Sequence, residues 1–198
     1  MARPKAYSPD EALQQMTELF WQKGYHATTL SDLERATGVG RKSLLNDFGS
    51  KEEMFALSLD HYLDIKAKPD GAALAKSPPS PENIRRFFRA IRYREGNEWG
   101  CLLALTILEQ ESAPPGAGEI ARNVYLGLEG AFLQNLLPAV ADGRLKSRAD
   151  AKKLAAFFLN TLHGIVINGR AGRSNAELKQ VVDVALSVLP SKIIEKKP

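Results

Sequence analysis

The stretch GVGRKSLLNDFGSK, Gly38 to Lys51, decides how the rest of the chain is read. It opens on a glycine that can turn the chain sharply, since a positive φ is costly for any residue with a Cβ. Helical spacing resumes from about Arg41 to Asp47, with Gly40 as a modest N-cap. Ser50-Lys51-Glu52-Glu53 then forms a capping box that opens the next helix. Upstream, Thr28-Thr29 starts a short helix that reaches about Thr37. Leu30, Leu33, Val39, Leu44 and Phe48 are spaced to face inward, which leaves Gly40, Arg41, Lys42, Ser43 and Asn46 outside. Two short helices joined by a glycine turn and packed on an earlier amphipathic helix describe a helix-turn-helix. Arginine and lysine donate to guanine edges or phosphates, and asparagine pairs with adenine. Helical hairpins that never meet DNA also use glycine turns, so spacing alone leaves both readings open.

Working outward, Ser8-Pro9-Asp10-Glu11 starts the supporting helix, with Leu13, Met16, Leu19 and Phe20 as its apolar stripe and Gly24 as its stop. The helix opened at Ser50 is expected to run to about Lys66. Residues 67–81, rich in Pro, Gly, Ala and Ser, read as a linker. Ser80-Pro81-Glu82 begins a helix with Ile84, Phe87, Phe88 and Ile91 on one face. Arg85, Arg86, Arg89, Arg92 and Arg94 read there as a solvated charged face. An apolar helix is expected over Gly100 to Gln110, a break at 113–118, and a long helix toward Pro138. The last two helices fall at about 149–169 and 175–189, the final one capped by Ser174 with Glu177. No stretch shows the alternation of a strand. The fold class is therefore all-α: an N-terminal three-helix helix-turn-helix domain over 1–50 and a larger C-terminal helical bundle over 51–198. Nearly all-round apolar character marks the last two helices as the dimer surface.

A chain of 198 residues with 25% charged residues has ordinary globular composition. Net charge +4 and a pI near 9.2 permit nucleic-acid binding without requiring it. The first 51 residues carry seven Lys and Arg against six Asp and Glu, so charge alone does not single out that end. No apolar run suggests a leader, and LAAFFLNTLHGIVI is too short and interrupted to span a bilayer, so a cytoplasmic location is expected, with no membrane partner. One cysteine excludes an internal disulfide and a cysteine metal cluster. Phosphate loops, metal motifs and nucleophile elbows are all missing, so neither an enzyme nor a cofactor is expected.

The run TTLSDLERATGVGRKSLLNDFGSKEEMF resembles the N-terminal domain of TetR/AcrR-family transcriptional regulators. The segment WGCLLALTILEQ resembles the GCLL segment of one group of them, and the closing helices resemble their C-terminal domains. The resemblance implies a homodimeric repressor that binds a palindromic double-stranded DNA operator and leaves it when a small-molecule effector occupies the C-terminal domain. It also implies DNA contacts from Thr29, Ser31, Arg41, Lys42, Ser43, Asn46 and Lys51. Lys51 stands at a helix start, where backbone N–H groups also favour anions.

Some positions depart from the family pattern. Leu45 replaces a usual tyrosine and reads as core filling. Asp47 would repel a phosphate if turned toward DNA, a conflict that capping or pairing with Lys51 would remove. Glu34 reads as part of a solvated face. These departures keep open an alternative, a helical ligand-binding or interaction protein whose helix-turn-helix no longer reads DNA. On the sensing side, Cys101 at a helix start reads either as a small buried hydrophobe or as a reactive thiolate, and its place resembles the cysteine with which some members sense electrophiles or oxidants. Leu105, Phe87, Tyr125, Phe158 and His163 complete the effector candidates, with core packing as the competing reading; Phe88, Trp99 and Phe157 belong to the same aromatic set.

Overall fold

The computed structural model describes residues 7–90 and 100–190; Ile91, Arg92, Arg94 and Trp99 lie outside the described residues. Every regular element among those described is helical, as the sequence predicts. The chain divides into two compact units, the first built from residues 7–69 and 100–123, the second from 70–90 and 124–190.

In the first unit α1 (Pro9–Lys23) begins at Ser8, whose side chain accepts from the Glu11 amide. It is followed by α2 (Leu30–Thr37), α3 (Arg41–Phe48) and α4 (Lys51–Tyr62). A π-helical turn (Leu63–Ala67) and the short α5 (Lys68–Gly71) extend α4 past its expected end. Met16, Phe20, Leu33, Leu44, Met54, Phe55 and Leu59 are sealed from solvent and form the core. Phe55 meets Phe20 and Tyr25 edge-on, each at 5.1 Å, the geometry that aromatic quadrupoles favour. α4 packs along α1, and α7 (Leu102–Leu108) returns to touch both.

The second unit holds α6 (Pro81–Ala90), the later part of α8 (Ala117–Ala141), α9 (Arg148–Arg170) and α10 (Asn175–Ser187). Phe87, Phe88, Phe132 and Phe158 pack ring against ring at its centre, with Ile84 and Leu136 around them. Three expectations need correction here. α8 runs through Pro138 instead of stopping there; the proline forfeits one backbone hydrogen bond, but the neighbouring Leu136 and Ala139 are fully buried and hold the helix in register. Arg85 is half-buried rather than fully solvated: besides its expected pairing with Glu82 (3.8 Å), its guanidinium donates to the carbonyls of Leu186, Leu189 and Pro190 and caps the end of α10. The expected linker is pinned rather than loose. Asn135 donates to the Leu74 carbonyl (2.9 Å) and accepts from the Ser80 amide (3.0 Å) and from Asn83 (2.9 Å).

Both asparagines are buried, so each lost partner leaves a desolvated polar group. Asn135→Ala is expected to lower unfolding free energy by about 2–4 kcal/mol, measured by urea denaturation of the full chain.

Candidate nucleic-acid interface

The turn between α2 and α3 forms as the sequence requires. Gly38 takes a left-handed conformation (φ 66°) and its amide closes on the Glu34 carbonyl at 2.9 Å. Leu33, Val39 and Leu44 are buried, and Leu30 and Phe48 are half-buried against them. Gly40, Arg41, Lys42, Ser43 and Asn46 all face solvent, side by side on α3. Thr29 and Ser31 are exposed at the start of α2. The structure therefore presents the six exposed DNA candidates on two adjacent helix starts and one helix face.

Three of them, Thr29, Ser31 and Arg41, do local work. Thr29 caps α2: its hydroxyl accepts from the Asp32 amide (3.1 Å), and Asp32 Oδ2 accepts in return from the Thr29 amide (3.0 Å) and hydroxyl (2.8 Å). Asp32 also pairs with Lys23 (3.1 Å) and Arg35 (3.3 Å). The Thr29 hydrogen bonds foremost, with help from Lys23, hold its carboxyl down at about 2. Arg41 is engaged by Glu34 and Ser31. Sequence reasoning placed Glu34 on a solvated face and missed this contact. No local signal pointed to it, because the first amide of α3 lies beyond the reach of any N-cap side chain and Glu34 meets it from across the turn.

Leu45 is a correction: it is 39% exposed, not core. Successive helical residues turn by about 100°, so once Leu44 points inward Leu45 cannot share its site. Asp47 accepts a hydrogen bond from the Tyr7 hydroxyl, which ties the segment before α1 to the end of α3. Burial first, then Asp47, pushes the Tyr7 phenol up to about 12, so it stays a donor at neutral pH. Lys51 is half-buried, with its ammonium 4.1 Å from the centre of the Tyr25 ring, a cation–π contact that holds it at the helix start.

The surface is backed by the returning segment around α7. Glu109 accepts from the Tyr25 amide at 2.7 Å and the His26 amide at 3.3 Å. Gly24 (φ 80°) lies so close that a Cβ there would stand 2.3 Å from the Glu109 carboxylate. Trp21 donates to the Gly100 carbonyl at 3.0 Å. Cys101 is the N-cap residue of α7, half-buried, with the Tyr62 hydroxyl 3.5 Å from its sulfur. Leu105, also half-buried, stands one turn further along α7.

The other effector candidates lie in the second unit. Phe87 and Phe158 are buried within its aromatic core. Tyr125 and His163 meet edge-on at 4.3 Å, and burial pushes the His163 imidazole down, keeping it neutral at pH 7. Its Nε2 is buried without a hydrogen-bond partner among the described residues. Phe157, by contrast, is on the surface. No helix among the described residues is long and apolar enough to cross a membrane, and no group of His, Cys, Asp and Glu among them is arranged to hold a metal ion.

Known proteins share this arrangement. Residues 13–57 match the tetR family of bacterial regulatory proteins, and residues 82–185 match a tetracyclin repressor-like C-terminal domain. The HTH-type transcriptional repressor ComR of Escherichia coli K12 is 32% identical over 195 residues, covering 95% of this chain and 91% of ComR. The HTH-type transcriptional regulator YezE of Bacillus subtilis 168 is 27% identical over 198 residues, covering 96% of this chain and all of YezE. Among solved structures, a cysteine-substituted CifR, a TetR family regulator bound to a 26-base-pair operator duplex, superposes with a TM-score of 0.80 at 28% identity, covering 96% of this chain and all of that one.

Because the Asp32 carboxyl is depressed from 3.8 to about 2, it stabilises the folded state fully above pH 3.8 and loses that contribution as pH falls toward 2. Asp32→Asn should therefore flatten the loss of stability between pH 4 and 2, read from thermal unfolding at stepped pH, while leaving the slope above pH 5 unchanged.

Proposed function

The chain belongs to the TetR family of bacterial regulatory proteins, regulators rather than enzymes, and from that premise we propose that it is a homodimeric repressor released from a palindromic operator by a small molecule or by modification of Cys101. The observation that carries the DNA-reading part is the exposed surface of α2 and α3, which offers Thr29, Ser31, Arg41, Lys42, Ser43 and Asn46 together, with Lys51 beside them. Its support includes the operator-bound CifR structure, whose fold this chain shares along its length. DNA reading is assigned to residues 1–50 together with Lys51 at the start of the next helix, and dimerisation and effector response to the rest of 51–198.

Dimerisation is assigned to α9 and α10. Phe157 and Ile167 on α9, and Val181, Val184 and Val188 at and after the last turns of α10, are exposed apolar side chains, Val184 at 70%. Residues 181, 184 and 188 recur at helical spacing and form one stripe, the pattern of a face built for another helix. A two-fold pair through this face would set two recognition helices about 34–36 Å apart, or a multiple of it, to meet half-sites on one side of the duplex. Val184→Asp should convert a dimer into a monomer in light scattering and abolish operator binding at the same protein concentration.

Effector response is assigned to Cys101 and Leu105 in the first unit and to Phe87, Tyr125, Phe158 and His163 in the second. Release needs an effector that prefers the DNA-free state. The half-buried Cys101 lies in a segment hydrogen-bonded to α1 through Trp21, which supports a route from thiol to DNA-reading helices. Duplexes tiling the region upstream of the protein's own gene should show a sequence-dependent shift that weakens steeply with salt. A chain that binds none of them at moderate ionic strength would instead be the helical interaction protein with an idle helix-turn-helix. Peroxide or an alkylating agent should release operator from the parent protein and not from Cys101→Ser; equal release from both removes the thiol from the proposal.

A further inference from the structure

The recognition helix α3 starts on a glycine, has no side-chain cap of its own and carries no acidic residue in its first turn. The Ser43 and Leu44 amides close on the Gly40 carbonyl (2.9 and 3.1 Å), but the first amide, that of Arg41, must find its acceptor outside the helix, at the positive end of its dipole. The missing acceptor arrives from the other side of the turn. Glu34, seven residues earlier on α2, accepts the Arg41 amide on Oε1 at 2.7 Å. Its second oxygen receives the Arg41 side chain, Nε at 3.2 Å and Nη2 at 3.1 Å. Nη2 donates again to Ser31 Oγ at 2.9 Å. One carboxylate thus satisfies the first amide of α3, which an N-cap side chain does not reach, and fixes the guanidinium in the same step.

That arrangement uses the donors a base reader needs. Arginine reads guanine with two parallel N–H groups aimed at O6 and N7. Here Nε and Nη2 are committed to Glu34 and Ser31, and among the described residues only Nη1 is left to offer hydrogens outward. Lys42, Ser43 and Asn46 are exposed on the same helix and carry no such clamp among the described residues. Resting on the DNA-reading proposal above, we infer that Arg41 is a positioning residue: Glu34 and Ser31 clamp it to seat the start of α3, and sequence discrimination belongs to Lys42, Ser43 and Asn46. Glu34 is then part of the DNA-reading apparatus although it contacts no DNA.

The test uses the full-length protein and a duplex enriched from a random double-stranded library, at one fixed salt concentration. Affinity is measured for that duplex and for a panel with each base pair changed in turn. Arg41→Ala and Glu34→Ala should each weaken binding by about fivefold to tenfold. The double variant should be no weaker than the poorer single one by more than about twofold, since both break one clamp. The ranking of the panel should stay unchanged, and Arg41→Lys, which keeps the charge but not the two-point grip, should not restore binding. Asn46→Ala should flatten the panel at one base pair. Loss of discrimination at a single base pair in Arg41→Ala, or recovery by Arg41→Lys, would overturn the inference. Amide hydrogen exchange on the DNA-free protein supplies an independent reading: the Arg41 amide should exchange at least about tenfold faster in Glu34→Ala, as expected when its acceptor is removed. If the parent protein enriches no duplex, DNA reading itself fails, and the clamp still stands or falls on that exchange rate.

Discussion

An eight-residue helix has no stability of its own in water, so α3 exists only because its surroundings hold it. Leu44 anchors it from beneath, the left-handed Gly38 sets its direction, and Glu34 satisfies its first amide. At the far end Asp47 takes the Tyr7 hydroxyl, and Gly49 gives way to the capping box of Ser50 and Glu53 that opens α4. The partners come from α2, from the segment before α1 and from the start of α4. The outward face is free to carry polar side chains because none of them is asked to fold the helix, with the exception of Arg41.

The same supports explain why the DNA-reading end has so little net charge. Two of its acidic residues, Asp32 and Glu34, are structural. Asp32 closes the capping box of α2 and gathers Lys23 and Arg35, and Glu34 gathers Arg41. Three of the seven basic residues counted there, Lys23, Arg35 and Arg41, are therefore answered locally, and a count of charges hides which ones remain to meet a phosphate. Lys42 stands out on that surface by position. Lys51 is kept in place by an aromatic ring rather than by a carboxylate.

Residues far along the chain also belong to this unit. Glu109 binds two amides of the turn after α1, and the Gly100 carbonyl takes the Trp21 indole. Glu109 thereby steadies Tyr25, the ring beneath Lys51. The segment from Cys101 to Glu109 is thus joined to the start of α4 by a hydrogen bond to the Tyr25 amide and the cation–π contact of its ring with Lys51.

Local grammar carried most of the fold. Proline, serine and glycine at helix ends, together with the apolar period between them, located the helices, the glycine turn and the exposed face of α3, because those signals act within a few residues. Signals of longer range were illegible. The carboxylate of Glu34 across a turn from Arg41, Tyr7 beside Asp47, Arg85 on the end of α10 and Glu109 on the Tyr25 amide all join residues whose separation follows no period. Leu45 failed for a related reason, since hydrophobicity favours burial while the direction taken by Leu44 forbids it. The sequence by itself determined the all-α class and the helix-turn-helix pair, and through its resemblance the family. Which polar side chains on that pair stay free, and which are spent holding it, was decided only by tertiary structure, because one carboxylate or guanidinium satisfies whichever partner the fold brings within about 3 Å.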